Sequence, residues 1–192
     1  MTLSIEAYHG TSAQAAIEIE AATYKESYSE SEWLGRGVYF FVDGISDPLT
    51  DAKAWAKAQA WDKTTKRYRY EQYSVLRSTI VLDPDKVIDL TNQLGLRLFN
   101  DIKSKFLDKI YDNFSFAELR KMEMPEHNCA VFNYIAATLK AHAVLHHLYI
   151  KNTTERKLHM RLTVPNTTVL CVKRTNFNFG AVIVHKGNTN ES

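Results

Sequence analysis

The segment Leu34-Gly35-Arg36-Gly37-Val38-Tyr39-Phe40-Phe41 determines how this chain is interpreted. Its last four residues are β-branched or aromatic, as is typical of a strand, and its glycines let the backbone approach a neighbour closely. A second short strand is predicted at Tyr8-His9-Gly10-Thr11-Ser12, where a histidine stands among small and aromatic residues. Side by side, two such strands would clamp a flat aromatic amide between a tyrosine ring and backbone groups.

The overall composition is that of one folded domain. The chain has 192 residues, of which 45% are apolar and 24% charged, and this is enough for a core without metals or disulfides. The net charge of +2 gives no field that would favour nucleic acid over the whole surface. Cys129 and Cys171 stand among apolar residues and are expected to be buried thiols. Without a secretory signal or a run of roughly 20 apolar residues, a cytoplasmic protein with no membrane contact is expected.

Strand-like segments lie toward both ends of the chain. Ser12 is placed to cap a helix over residues 13–22, between the first two of these strands. The patterns predict strands at Ile5–His9, Gly37–Val42, Tyr73–Leu82, Val87–Leu90, Leu158–Val164, Thr168–Lys173 and Ala181–His185.

Residues 91–151 are predicted to form a helical block. Apolar residues repeat there at helical spacing, and one helix is expected to run from Asn128 to Leu148. Strands at both ends with helices between them predict an α+β fold with a discontinuous sheet. A single domain is therefore expected over residues 1–187, followed by a polar tail at 188–192.

The two glycine-containing strands resemble the NAD-binding core of ADP-ribosyltransferases of the diphtheria-toxin and poly(ADP-ribose) polymerase type. In that family the first strand reads His-Gly-Ser or His-Gly-Thr, and the second reads Gly-Lys-Gly-Ile-Tyr-Phe. The resemblance implies a split antiparallel β-sheet with the helical block as an insertion, and NAD as the substrate. It also implies that His9, Gly10, Thr11, Tyr39 and Phe40 bind NAD, with His9 and Tyr39 as the catalytic pair.

The chemistry implied is displacement at the anomeric carbon of NAD, in which nicotinamide leaves and positive charge develops on the ribose. His9 would bond a ribose hydroxyl through one ring nitrogen, while the other nitrogen sets the tautomer. The backbone of Gly10 would bind the carboxamide, and Tyr39 would stack on nicotinamide.

The helix after the second strand is expected to supply a second aromatic face. It is predicted over Thr50–Lys63, with Ala54, Ala58 and Trp61 on one face and Trp55 pointing elsewhere. By resemblance, Trp55 forms the other side of a nicotinamide sandwich.

One family residue is missing from the sequence. The family usually places a glutamate at the start of a late strand, where it bonds the ribose and stabilises the oxocarbenium ion. Here Asn166-Thr167-Thr168-Val169 holds no carboxylate, and Glu155 lies too early in the chain. Family members without this glutamate are commonly mono-ADP-ribosyltransferases or inactive binders, so transfer of a single ADP-ribose is expected. The main alternative is an NAD- or ADP-ribose-binding module without turnover.

Predictions about the acceptor and the partners rest on other features of the chain. The basic and aromatic segment Lys66-Arg67-Tyr68-Arg69-Tyr70-Glu71-Gln72-Tyr73 favours RNA or DNA slightly over protein as the acceptor. A catalytic domain of this size resembles intracellular bacterial or phage toxins and defence effectors, which implies a possible inhibitory antitoxin protein. An RNA-repair phosphotransferase and a plain interaction protein are further alternatives. His142 and His146 would lie one helical turn apart, but no third ligand is evident, so no metal site is predicted.

Overall fold

The structure is a computed structural model that describes residues 2–62, 64–113, 115, 117, 120–158, 160, 162–173 and 179–190. Within these ranges the helices are α1 (Ala13–Ala21), α2 (Pro48–Ala60), α3 (Gln93–Asn113), α4 (Met124–Thr138) and α5 (Thr153–Lys157). The strands are β1 (Leu3–Ser12), β2 (Val38–Val42), β3 (Trp61–Asp62), β4 (Arg67–Tyr68), β5 (Gln72–Leu82), β6 (Val87–Asp89), β7 (Ala143–Leu148), β8 (Thr167–Val172) and β9 (Val182–Asn188).

Seven of the strands form one mostly antiparallel sheet in the order β6-β7-β8-β2-β1-β5-β9. The β6–β7 pair is parallel, and β3 and β4 form a separate small hairpin. Strands at both ends of the chain thus meet in one sheet, and the predicted α+β class is confirmed. Among the described residues, no helix combines the length and the apolar character that crossing a bilayer requires.

The sheet consists of two halves joined by a short ladder. Strand β1 pairs with β5 along its whole length, and β2 pairs with β8 from Val38 to Phe41. Between β1 and β2, however, the ladder has two registered pairs, Ala7 with Val42 and Tyr8 with Phe41. The two halves therefore diverge beyond Tyr8, at the level of the next residue, His9.

Each face of the sheet carries its own core. The core that we call the helix-side core contains Phe41, Ala52 and Ile135, and α2 and α4 cover it. The opposite core, which we call the Tyr24-side core, contains Tyr24, Phe40 and neighbouring aliphatic residues. Because side chains alternate along a strand, consecutive residues of β2 belong to opposite cores.

Helix α2 rests on the sheet through alanines. Asp47, not Thr50, is its N-cap, and its side chain accepts a hydrogen bond from the Thr50 amide. The buried residues of α2 are Ala52, Ala56 and Ala60, so the face of Ala54 and Ala58 is not the one that packs on the sheet. Trp61 lies just after the helix and is 42% exposed.

The predicted helical block was wrong in its C-terminal part. Helix α4 ends at Thr138, and Lys140 takes a positive φ of 50° that helices do not continue through. The following segment is strand β7, which lies between β6 and β8 and buries Ala143 and Val144 on opposite faces. A short apolar run cannot distinguish a buried strand from a helix, and sheet pairing decided the outcome here.

Two other boundaries differ from the prediction. The described residues of 158–164 form no strand, and Leu158 and Val164 are exposed (159 and 161 lie outside the described residues). Strand β9 extends through Asn188, and the Thr189 amide then donates to the Glu71 carbonyl. The predicted polar tail therefore begins inside the sheet, while residues 191 and 192 lie outside the described part of the chain.

Candidate functional site

His9 lies where the two half-sheets diverge, and its ring is fixed by a backbone bond. Nδ1 lies 2.8 Å from the Tyr39 carbonyl oxygen, and the ring packs edge-on against Tyr24 and Phe40 at centroid distances of 5.3 and 6.0 Å. A carbonyl can only accept, so Nδ1 carries the proton and Nε2 of the neutral ring is an acceptor. The imidazole is thus oriented with a lone pair available on Nε2.

Burial keeps His9 neutral. It lowers the pKa of the ring below the ordinary 6.5, and the bond to the Tyr39 carbonyl opposes this only in part. Below pH 6.5 the unfolded chain therefore binds a proton that the folded chain does not. The contribution of His9 to stability is complete above pH 6.5 and is lost as the pH falls toward the lowered pKa of the folded state.

We therefore expect His9→Gln to flatten the pH dependence of stability. As the pH falls below 6.5, the free energy of unfolding of the wild type should fall by up to about 1.4 kcal/mol per pH unit because of this one group. Urea unfolding of both proteins across this range measures the difference. His185→Gln is the comparison, since that ring also has a lowered pKa but lies on β9 and bonds the Tyr73 hydroxyl at 3.2 Å. Parallel curves for wild type and His9→Gln would contradict a part-buried imidazole that is held neutral.

Gly10 is in close contact with helix α2. A Cβ at this position would stand 1.9 Å from the Ala52 carbonyl oxygen and 3.1 Å from the Ala56 Cβ. The sequence predicted that a glycine at this position lets a ligand approach the backbone closely. In the structure, helix α2 of the same chain occupies that space. Gly10 is buried, with α2 packed directly over it.

Tyr39 and His9 do not face one slot. The register of Tyr8 with Phe41 places Gly10 opposite Tyr39 and His9 opposite Phe40, and directly opposed residues share a face. The Tyr39 ring consequently packs against the helix-side core, whereas His9 contacts the Tyr24-side core. The sequence predicted a clamp between the Tyr39 ring and backbone groups beside His9, but the register places this ring on the face opposite to the His9 ring.

The Tyr39 phenol is engaged within the chain. Its hydroxyl donates to the Gly35 carbonyl at 2.6 Å and accepts from the Leu34 amide at 2.8 Å. Burial raises its pKa far above the ordinary value, so the group stays protonated. Tyr39 therefore holds the turn at Leu34 and Gly35, and its carbonyl orients His9. Phe40 is fully buried, which makes it a core residue rather than an NAD contact.

Trp33 occupies the place expected for a stacked ligand. Its ring centroid lies 6.4 Å from that of Tyr39 and 5.1 Å from that of Trp55, edge-on to both. Sequence reasoning missed this residue, although an aromatic residue directly before Leu34-Gly35 was a visible signal. Trp55 is thus separated from Tyr39 by a third ring and cannot form a sandwich with it in this arrangement.

The glycines of the decisive segment have conformational roles. Gly35 and Gly37 have φ values of +79° and +153°, which side-chain-bearing residues rarely adopt. Lys173 donates from Nζ to the carbonyls of Leu34 and Arg36, and the Arg36 amide donates to Asn133 Oδ1 at 2.8 Å. The segment that leads into β2 is thus held by Lys173, directly after β8, and by Asn133 in α4.

A carboxylate reaches the start of β8 from helix α2. Asp51 Oδ2 accepts from the Ser46 hydroxyl at 2.5 Å and from the hydroxyl of Thr167, the first residue of β8. The next residue, Ala52, is the one that contacts Gly10. Glu155 instead belongs to the capping box of α5 with Asn152. Asp51 therefore lies at the strand end where the sequence contains no carboxylate.

His142 and His146 do not lie one helical turn apart, because His142 directly precedes strand β7 and His146 lies within it. His146 and His147 are consecutive strand residues, and His147 bonds the Thr168 hydroxyl at 3.0 Å. Burial lowers the pKa of His146, so this ring too is neutral. Within the described residues, no group of three or more His, Cys, Asp and Glu side chains could hold a metal ion.

Comparison with known proteins adds no assignment. No protein-family model matches this chain, and neither a curated protein nor a solved structure matches it. The site therefore has to be interpreted from its own geometry.

Proposed function

We propose that this protein is a mono-ADP-ribosyltransferase that uses NAD as its substrate. The observation that carries the proposal is His9 at the divergence of β1 and β2, with Nδ1 bonded to the Tyr39 carbonyl and the lone pair of Nε2 available. A ribose hydroxyl that donates to Nε2 would be held in one orientation. The sheet with two well-paired halves and a two-pair junction is also what a split-sheet fold requires.

The reaction breaks one bond and forms one bond. The glycosidic bond between C1′ of the ribose and N1 of nicotinamide breaks, and its electron pair leaves with the pyridine ring, which becomes neutral. A nucleophile of the acceptor then bonds to C1′ and releases its proton to solvent. The protein has to hold the ribose and stabilise the cation that develops between these events.

Some residues of the site contact NAD, and others hold the contacting residues in position. In this proposal His9 binds the ribose, and the backbone of Gly10 and Thr11 binds the carboxamide. We assign the stabilisation of the developing cation to Asp51, the carboxylate that bonds Thr167 at the start of β8. Tyr39 is a positioning residue, because its carbonyl fixes His9 and its hydroxyl fixes the adjoining turn.

The test uses NAD labelled in its adenylate half, incubated with the purified protein and a cell extract. We expect label on a macromolecular fraction and release of one nicotinamide per label transferred. His9→Gln should lower this transfer by about 100-fold because the ribose loses its oriented acceptor. Separation of the extract into protein, RNA and DNA identifies the acceptor class.

The matched control is His185→Gln, whose ring lies on β9 and bonds Tyr73. It should transfer label at the wild-type rate. Equal activity of His9→Gln and wild type would contradict the proposal. So would labelling of the extract that occurs to the same extent without the purified protein. If the enzyme acts as an intracellular toxin, its expression should arrest growth and His9→Gln should relieve the arrest.

A binding module without turnover is the second candidate function. The contact of α2 with Gly10 and the internally bonded phenol of Tyr39 favour it, since both narrow the space for a reacting nicotinamide. Such a protein would show thermal stabilisation by NAD or ADP-ribose, about 2.7 kcal/mol at a hundred times Kd, with no label transferred. Transfer of label excludes this alternative.

A further inference from the structure

A groove lined by two tryptophans lies on the helix side of the molecule. Its walls come from the C-terminal half of α2, the β3–β4 hairpin and α5, and its volume is about 380 Å³. We call it the tryptophan groove, and it is lined by Trp55, Trp61, Arg69, Arg156, Asp62 and two α2 residues between the tryptophans.

Trp61 offers an aromatic surface to solvent. It is 42% exposed, and its ring is held edge-on against Tyr68 at 5.2 Å, its cross-strand partner in the hairpin. This contact fixes the indole without covering it. Trp55, inside the groove, is held in the same way by Trp33. Rigid, partly exposed indoles are the usual platforms on which unpaired bases stack.

Two guanidinium groups face the same space. Arg69 donates from Nη2 to the Gln59 carbonyl at 2.5 Å, and Arg156 donates from Nε to the Lys151 carbonyl at 2.9 Å. Each side chain is thereby oriented through one nitrogen. Among the described residues, neither lies within 4.0 Å of a carboxylate oxygen, although the charge of Arg69 contributes to the lowered pKa of Asp62. Oriented guanidinium groups of this kind bind phosphate oxygens well.

The carboxylate in the groove, Asp62, already accepts hydrogen bonds from the backbone of the hairpin turn. Asp62 Oδ1 accepts from the amides of Thr64 and Thr65 at 2.8 and 3.1 Å, and these bonds hold the pKa of Asp62 below its usual range. Arg67 is exposed on the neighbouring strand and adds positive charge. The groove therefore combines net positive charge with aromatic faces.

We propose that the tryptophan groove binds an unpaired nucleic acid strand, with a base on Trp61 and backbone phosphates on Arg69 and Arg156. A duplex hides the faces of its bases, and so the exposed indole selects for single strands. The groove connects to His9 through Trp55, Trp33 and Tyr39, whose rings contact in sequence. The inference deepens the proposed function by naming the acceptor class, and it rests on that function only for the transfer step.

The test measures binding without NAD, by fluorescence anisotropy of labelled strands of about 15 nucleotides. Single-stranded RNA and single-stranded DNA are separate arms, and a duplex of the same sequence is a third. Wild-type protein should bind a single strand at least 10-fold more tightly than the duplex. Trp61→Ala should raise Kd about 10-fold, and Trp61→Phe should recover part of the loss.

The charge variants test the phosphate contacts. Arg69→Gln and Arg156→Gln should each lower the slope of log K against log salt by about 0.7. The controls are Arg97→Gln, another exposed arginine, and Tyr28→Ala, an aromatic residue that is 70% exposed. Both should bind as the wild type does.

Different experimental outcomes would overturn this inference and the proposed function. Absence of single-strand binding, equal binding of the duplex, or an unchanged Kd in folded Trp61→Ala would overturn the groove assignment, even if NAD-dependent labelling of protein occurs. Tight single-strand binding without any label transfer would leave the groove assigned and overturn the enzymatic proposal.

Discussion

Replacement of Gly10 by alanine is expected to lower the free energy of unfolding by about 3 kcal/mol or more. The added methyl would stand 1.9 Å from the Ala52 carbonyl oxygen, a backbone atom that cannot rotate away as a side chain would. Helix α2 has to move off β1, and its buried alanines lose their contacts with the sheet. Chemical denaturation of the two proteins, with far-UV circular dichroism as the probe, measures the loss.

Gly180→Ala is the control for this prediction. A Cβ there meets no atom within 4 Å, but the residue has a φ of +52°. The backbone strain alone should cost about 1 kcal/mol. A Gly10→Ala protein as stable as Gly180→Ala would show that α2 tolerates displacement. In that case the space over Gly10 opens readily, which would favour a ligand at that position.

Local sequence signals were sufficient for much of the fold. Strands β1, β2 and β5 and the Ser12 cap of α1 follow from alternation, β-branched residues and capping preference, which act over a few residues. The α+β class also follows from strand-like segments at both ends of the chain, which the structure joins in one sheet. Such features depend on residues that are close together in the sequence, and they can therefore be predicted from a single sequence.

Features that depend on pairing between segments far apart in the sequence could not be predicted from local signals. The face that Tyr39 occupies depends on the register of β1 with β2, and a shift of one residue would have placed it beside His9. Strand β7 looked helical because its partners, β6 and β8, are remote in sequence. The contact of Asp51 with Thr167 spans 116 positions, and only the folded chain brings the two together.

Asp51→Asn is expected to lower the rate of NAD cleavage by about 100-fold or more while NAD affinity changes little. The amide oxygen of asparagine can still accept from the hydroxyls of Ser46 and Thr167, so the junction of α2 with β8 is retained. The negative charge is lost, and with it the stabilisation of the cation that exists only near the transition state. Nicotinamide release gives the rate, and NAD-dependent thermal shift gives the affinity.

Asp47→Asn is a control from the same helix. Asp47 caps α2 through the Thr50 amide, and asparagine caps a helix about as well as aspartate does. This variant should cleave NAD at the wild-type rate. A large rate loss confined to Asp51→Asn, with unchanged thermal stability, assigns the charge a role in the reaction. A similar loss in both variants would mean that the general field of the helix terminus matters, and a wild-type rate in both would remove Asp51 from the chemistry altogether.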